Sequence, residues 1–80
     1  MNYKDIKKGK IYVVKKEWRE IKDNEVYKYA KLVDEPQQWP YDWIKFKWLM
    51  HGKEEDLPIS CIEREANLKE DEKYLFVLAI

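Results

Sequence analysis

An all-β fold, a small and strongly bent five-stranded barrel with one short helical turn near residues 60–64, is what this 80-residue sequence predicts. Three observations predict it. Short runs of β-branched and aromatic residues alternate with turn-forming residues, so strands are joined by turns. Twelve aromatic residues (four Trp, six Tyr, two Phe) can fill a small core, each ring burying about 150–250 Å². Finally, 45% hydrophobic residues exclude a disordered chain, while no apolar run approaches the length of a membrane span. One domain, residues 1–80, is the expectation at this size.

Each element has its own signal. Lys8-Gly9-Lys10 opens a first strand, Ile11-Tyr12-Val13-Val14, and a polar segment then runs from Lys15 to the turn signal Asp23-Asn24. Glu25 to Val33 reads as a second strand, with Val26, Ala30 and Leu32 on one face and Tyr27, Tyr29 and Val33 on the other. Two prolines make Asp34 to Asp42 an irregular connection. Trp43 to Met50 alternates most cleanly. Ile44, Phe46, Trp48 and Met50 share one face, while Lys45 and Lys47 point the other way with Trp43 and Leu49. His51-Gly52 reads as a hairpin turn, and Lys53 to Ile59 as a fourth strand with Leu57 and Ile59 inward. Ser60 to Arg64 reads as the helical turn, Ser60 capping it with Glu63 three residues on. Tyr74-Leu75-Phe76-Val77-Leu78 reads as the last strand, which would close the barrel and its edges.

The net charge is zero, yet residues 1–33 carry ten Lys or Arg against five Asp or Glu, and residues 34–80 carry six against eleven. Neither a basic nucleic-acid footprint nor a uniformly acidic surface results. Such a dipolar chain suits a protein partner of complementary charge. Fourteen Lys against two Arg weighs further against base and phosphate readout, which favours Arg. It also matches the A/T-rich codons of a low-GC bacterium or its phages.

No enzymatic constellation emerges. A lone cysteine, Cys61, excludes an internal disulfide and any multi-cysteine metal site, and reads as a small buried hydrophobe. His51 reads as a solvent-facing turn residue, and nothing brings it to Cys61 as a nucleophile pair. Consecutive carboxylates Glu54-Glu55-Asp56 alternate faces on a strand and read as a solvated edge. No metal, no cofactor and no catalytic residue is expected. The start, Met1 to Asp5, leads into no apolar signal segment, so a cytoplasmic setting is expected.

The pattern Tyr29-Ala30-Lys31-Leu32-Val33, Ile44-Lys45-Phe46-Lys47-Trp48, the hairpin Gly52 and Leu57-Pro58-Ile59-Ser60-Cys61-Ile62 resembles the Tudor and chromo-barrel group, within the wider Src-homology-like barrel architecture. The likeness covers residues 26–63. It implies a small barrel with a non-catalytic binding role. In that group an aromatic cage for methylated Lys or Arg draws on the first loop, where Trp18 would stand. The group's second cage aromatic, before the hairpin glycine, is replaced here by Leu49, Met50 and His51.

Two function classes follow. The first is a protein-binding module in which Trp39, Tyr41 and Trp43, with Trp18, anchor a partner, since Trp and Tyr dominate interface hot spots. Its specific form is a small phage or bacterial accessory protein, taken as complete from Met1, that blocks a host enzyme or defence complex. The same aromatics can serve a homodimer. The alternative is a single-stranded nucleic-acid binder using an outer face of Tyr27, Tyr29, Lys45 and Lys47.

Overall fold

The computed structural model describes residues 5–19, 21–35, 43–67 and 69–79. Five strands, β1 (Ile11–Val14), β2 (Tyr29–Leu32), β3 (Trp43–Trp48), β4 (Glu54–Pro58) and β5 (Ile62–Glu65), precede one helix, α1 (Glu72–Ala79). Short 3₁₀ turns occupy Lys16–Trp18, Glu25–Lys28 and Ile59–Cys61. The strands form one antiparallel sheet in the order β4-β3-β2-β1-β5. The ladders end at β4 and β5, so the sheet is open; what holds of the expected barrel is five antiparallel strands with little helix.

Two corrections concern the last third. Residues 62–64, read as part of a helical turn, belong to β5 (Ile62–Glu65), and the 3₁₀ turn is confined to Ile59–Cys61. The Ser60 and Glu63 spacing mimics a capping box, but pairing with β1 wins: Tyr12 faces Glu65, Val13 faces Arg64 and Val14 faces Ile62. Residues 74–78, read as a strand, belong to α1. An apolar run without alternation does not distinguish a strand from a buried helix. Here the turn before it decides. The Asn67 side chain accepts from the Lys69 and Glu70 amides at 2.9 and 3.4 Å, and the Asp71 carbonyl accepts from the Tyr74 and Leu75 amides at 3.0 Å.

Smaller shifts share that logic. Asn24 accepts from the Val26 amide at 3.0 Å, which coils Glu25–Lys28 into a 3₁₀ turn and delays β2 to Tyr29. β3 stops at Trp48, where the amide of Gly52 (φ +72°) donates to the Trp48 carbonyl at 2.8 Å. Met50 therefore sits in the turn, exposed, instead of sharing the face of Ile44, Phe46 and Trp48.

One apolar cluster fills one face: Tyr12 and Val14, Ala30 and Leu32, Ile44, Phe46 and Trp48, Leu57, Ile62 of β5, and the turn residues Ile59 and Cys61, with Ile6. Tyr12, Ala30 and Trp48 lie in one cross-strand row, so a small residue separates two large rings and lets them interdigitate. The Val13/Val14 register shift against β5 marks a bulge, which bends and twists the sheet over this cluster. On the opposite face Arg64, Val13 and Tyr29 form a second row, and the front of α1 packs there through Asp71.

Candidate functional site

Strand parity builds the site. With Ile44, Phe46 and Trp48 inward, Trp43, Lys45 and Lys47 share the outer face of β3, opposite Pro58, Asp56 and Glu54 of β4. Trp43 is 57% exposed, the most exposed large hydrophobic side chain among the described residues. It does not stand alone. Trp18 meets it edge to face, with ring centroids 5.8 Å apart and planes at 81°, the arrangement that aligns one ring's positive edge with the other's negative face.

Trp18 is fixed from below. The 3₁₀ turn that carries it is tied at both ends: the Lys15 amide donates to the Cys61 carbonyl at 2.7 Å, and Arg19 Nε donates to the Val14 carbonyl at 2.8 Å. Half-buried, Trp18 packs on the main cluster and presents the rest of its ring to Trp43. The structure thus joins two of the four aromatic anchor candidates. The other two, Trp39 and Tyr41, lie outside the described residues.

The nucleic-acid face comes apart. Lys45 and Lys47 do share a face, but Tyr29 is fully buried, and its hydroxyl donates to Asp71 Oδ1 at 2.6 Å. Burial pushes the Tyr29 phenol above its ordinary range, and the Asp71 carboxylate adds to that. Tyr27 is half-buried beside His51, ring centroids 6.1 Å apart. The outer lysines therefore have no Tyr29 ring to share with a base. The Asp71 network was beyond the reach of composition. Arg64 grips the carboxylate with both nitrogens, at 2.8 and 3.1 Å, and the Asn67 amide adds a third donor at 2.7 Å. These contacts, the Arg64 guanidinium first, hold the Asp71 carboxyl well below the usual carboxylate range. The one available signal was scarcity: with two Arg in the chain, each has a fixed structural role, Arg64 at Asp71 and Arg19 at Val14.

The residues with reactive potential are placed without a common centre. Cys61 is buried in the main cluster, and burial pushes its thiol up to about 12, so it stays protonated. His51 is exposed in the hairpin, its Nδ1 accepting from the Lys53 amide at 3.1 Å. Glu54 and Asp56 point outward, whereas Glu55 accepts from Trp48 Nε1 at 2.9 Å. Among the described residues no three His, Cys, Asp or Glu side chains are grouped to hold a metal ion, and no helix is long and apolar enough to cross a membrane.

A second surface lies at the other end of β3 from Trp43. A groove of about 570 Å³ runs between the turn at Lys8-Gly9, Lys31 to Val33 of the β2 end, and Lys47 to Leu49 of the β3 end, with Glu54 at its margin. Comparison of the chain with protein-family models, with curated proteins and with solved structures gave no match in any of the three.

Proposed function

We propose that this chain is a non-catalytic protein-binding module, a barrel-like bent sheet that presents Trp43, propped by Trp18, as the anchor for a partner. The observation that carries the reading is the pair itself. An indole 57% exposed, yet held in a defined edge-to-face contact, is preorganised for burial by another molecule. Trp39 and Tyr41, close to Trp43 in sequence, are assigned to the same anchor. The barrel-like description draws support from the single enclosed cluster and the bulge that bends β5 against β1.

Within this reading the chain acts in the cytoplasm as a small phage or bacterial accessory protein that blocks a host enzyme or defence complex. The small size and the Lys-rich, A/T-favoured composition support that role. The test is capture of a partner from nuclease-treated bacterial lysate on the immobilised protein, in parallel with Trp43→Ala. A protein retained by the native chain and lost by the variant, with the variant's unfolding midpoint unchanged, supports the module. Retention that disappears on nuclease treatment favours single-stranded nucleic acid instead, through the face of Tyr27, Lys45 and Lys47.

A further inference from the structure

We infer that the groove between Lys8, Lys31 and Lys47 binds an acidic stretch of the partner protein, about 13 Å from the Trp43 anchor. The inference rests on the protein-binding reading above and names the chemistry of the partner. Lys31 and Lys47 are directly opposed across β2 and β3. Like charges in that relation, with Cβ atoms about 5 Å apart, destabilise a sheet, and a carboxylate held between them would offset the repulsion. Lys8, on the turn that enters β1, adds a third ammonium to the same groove. The ion pairs of the described residues are Lys10 with Glu65, Lys16 with Asp23 and Arg64 with Asp71, so none of the three groove lysines is neutralised in this way. Glu54, opposite Lys47, is the single carboxylate lining the groove, against three cations.

The lining argues for carboxylates over nucleotides. Its one aromatic, Trp48, is 1% exposed with its indole N–H committed to Glu55, so no ring face is free for a base to stack on. Both arginines, the residues suited to bidentate phosphate contact, are engaged elsewhere, at Val14 and Asp71. Point-charge ammonium groups on flexible stems suit a run of Asp or Glu side chains. Trp43 and Lys47 lie four residues apart on one face of β3, a span of about 13 Å at 3.3 Å per residue. A partner segment in extended form therefore places an apolar residue on the Trp pair and its acidic residues four positions along.

The probe is a fluorescein-labelled hexaglutamate peptide, titrated by anisotropy at low salt into the full chain, with amide chemical shifts recorded in parallel. Saturable binding is expected, with shifts confined to Lys8-Gly9, Lys31 to Val33 and Lys47 to Leu49. Lys31→Glu and Lys47→Glu each weaken it about tenfold or more, while Lys22→Glu, outside the groove, leaves it in place. Lys31→Glu faces Lys47 and keeps the sheet's pairing, whereas Lys47→Glu faces Glu54, so its thermal unfolding is recorded and Lys47→Gln, free of that repulsion, is read beside it; Lys31→Gln and Lys47→Gln give intermediate losses. No saturation, shifts elsewhere, indifference to the reversals, or tighter binding of hexathymidylate overturns the inference. Dimers that hexaglutamate dissolves also overturn it, in favour of a second copy as the occupant. Loss of partner capture in Trp43→Ala is read in a separate assay from hexaglutamate binding, so the anchor and the groove fail or stand separately.

Discussion

Asp71 shows how much one side chain contributes in a domain this small. It is 2% exposed and carries a full negative charge, an arrangement sustained only because Arg64, Tyr29 and the Asn67 amide all donate to it. Its folded carboxyl is held below the unfolded value of about 4, so the stability it contributes is complete above that value and is lost as the pH falls further. Urea unfolding midpoints should drop between pH 5 and pH 2, and Asp71→Asn should remove much of that drop. At pH 7 the same change should cost about 2 kcal/mol, since an amide cannot accept both guanidinium donors. A midpoint independent of acid in the native chain would contradict this account. Trp43 is the opposite case: its exposure means that truncation leaves the fold nearly untouched while removing the proposed anchor.

At the level of elements, α1 is the part least able to stand alone. Eight residues are too few for an isolated helix in water, so its order depends on docking. Two clasps supply it: Asp71 on the Arg64–Tyr29 row, and Tyr74, whose hydroxyl donates to Glu25 at 2.6 Å while Lys28 Nζ lies 5.3 Å from its ring centre. In Asp71→Ala, hydrogen exchange should therefore accelerate in Glu72–Ala79 while amides of β2 and β3 keep their protection. Uniform acceleration would show that α1 and the sheet open as one unit. The same elements show what could be read beforehand. β3 was legible because a strand buried on one face writes its alternation into Ile44, Phe46 and Trp48, and the parity that sends these inward sends Trp43 outward. β5 was not, because Ile-Glu-Arg-Glu shows neither alternation nor β-propensity until Val13 and Tyr12 stand beside it. Nor was α1, whose apolar run fits either state.

Across the whole molecule, strand order rearranges the charge asymmetry of the chain. β2 and β3, whose charged residues are Lys31, Lys45 and Lys47, lie inside the sheet beside the uncharged β1, while β4, with Glu54, Glu55 and Asp56, and β5, with Glu63 and Glu65 around Arg64, form its two edges. The result is a basic centre between acidic margins, not a dipole from end to end. Residues opposed only through strand order, as Lys31 and Lys47 are, could not be paired from the chain alone, and neither could Trp18 and Trp43. The margins also answer a problem that a closed barrel would not have. An open sheet exposes unpaired strand edges, and charged side chains discourage their pairing with other chains. On β4, Glu54, Glu55 and Asp56 fill that role. Glu54→Thr with Asp56→Thr should make the protein self-associate at concentrations where the native chain is monomeric, seen by sedimentation velocity; a variant that remains as dispersed as the native chain would remove this role from β4.

The measurement nearest to the central claim is partner capture by Trp43→Ala beside the native chain, in nuclease-treated lysate, with thermal unfolding of both recorded. A specific protein is expected on the native chain, none on the variant, with matching unfolding curves. Equal capture by a folded variant would contradict it and leave Trp43 without a binding role.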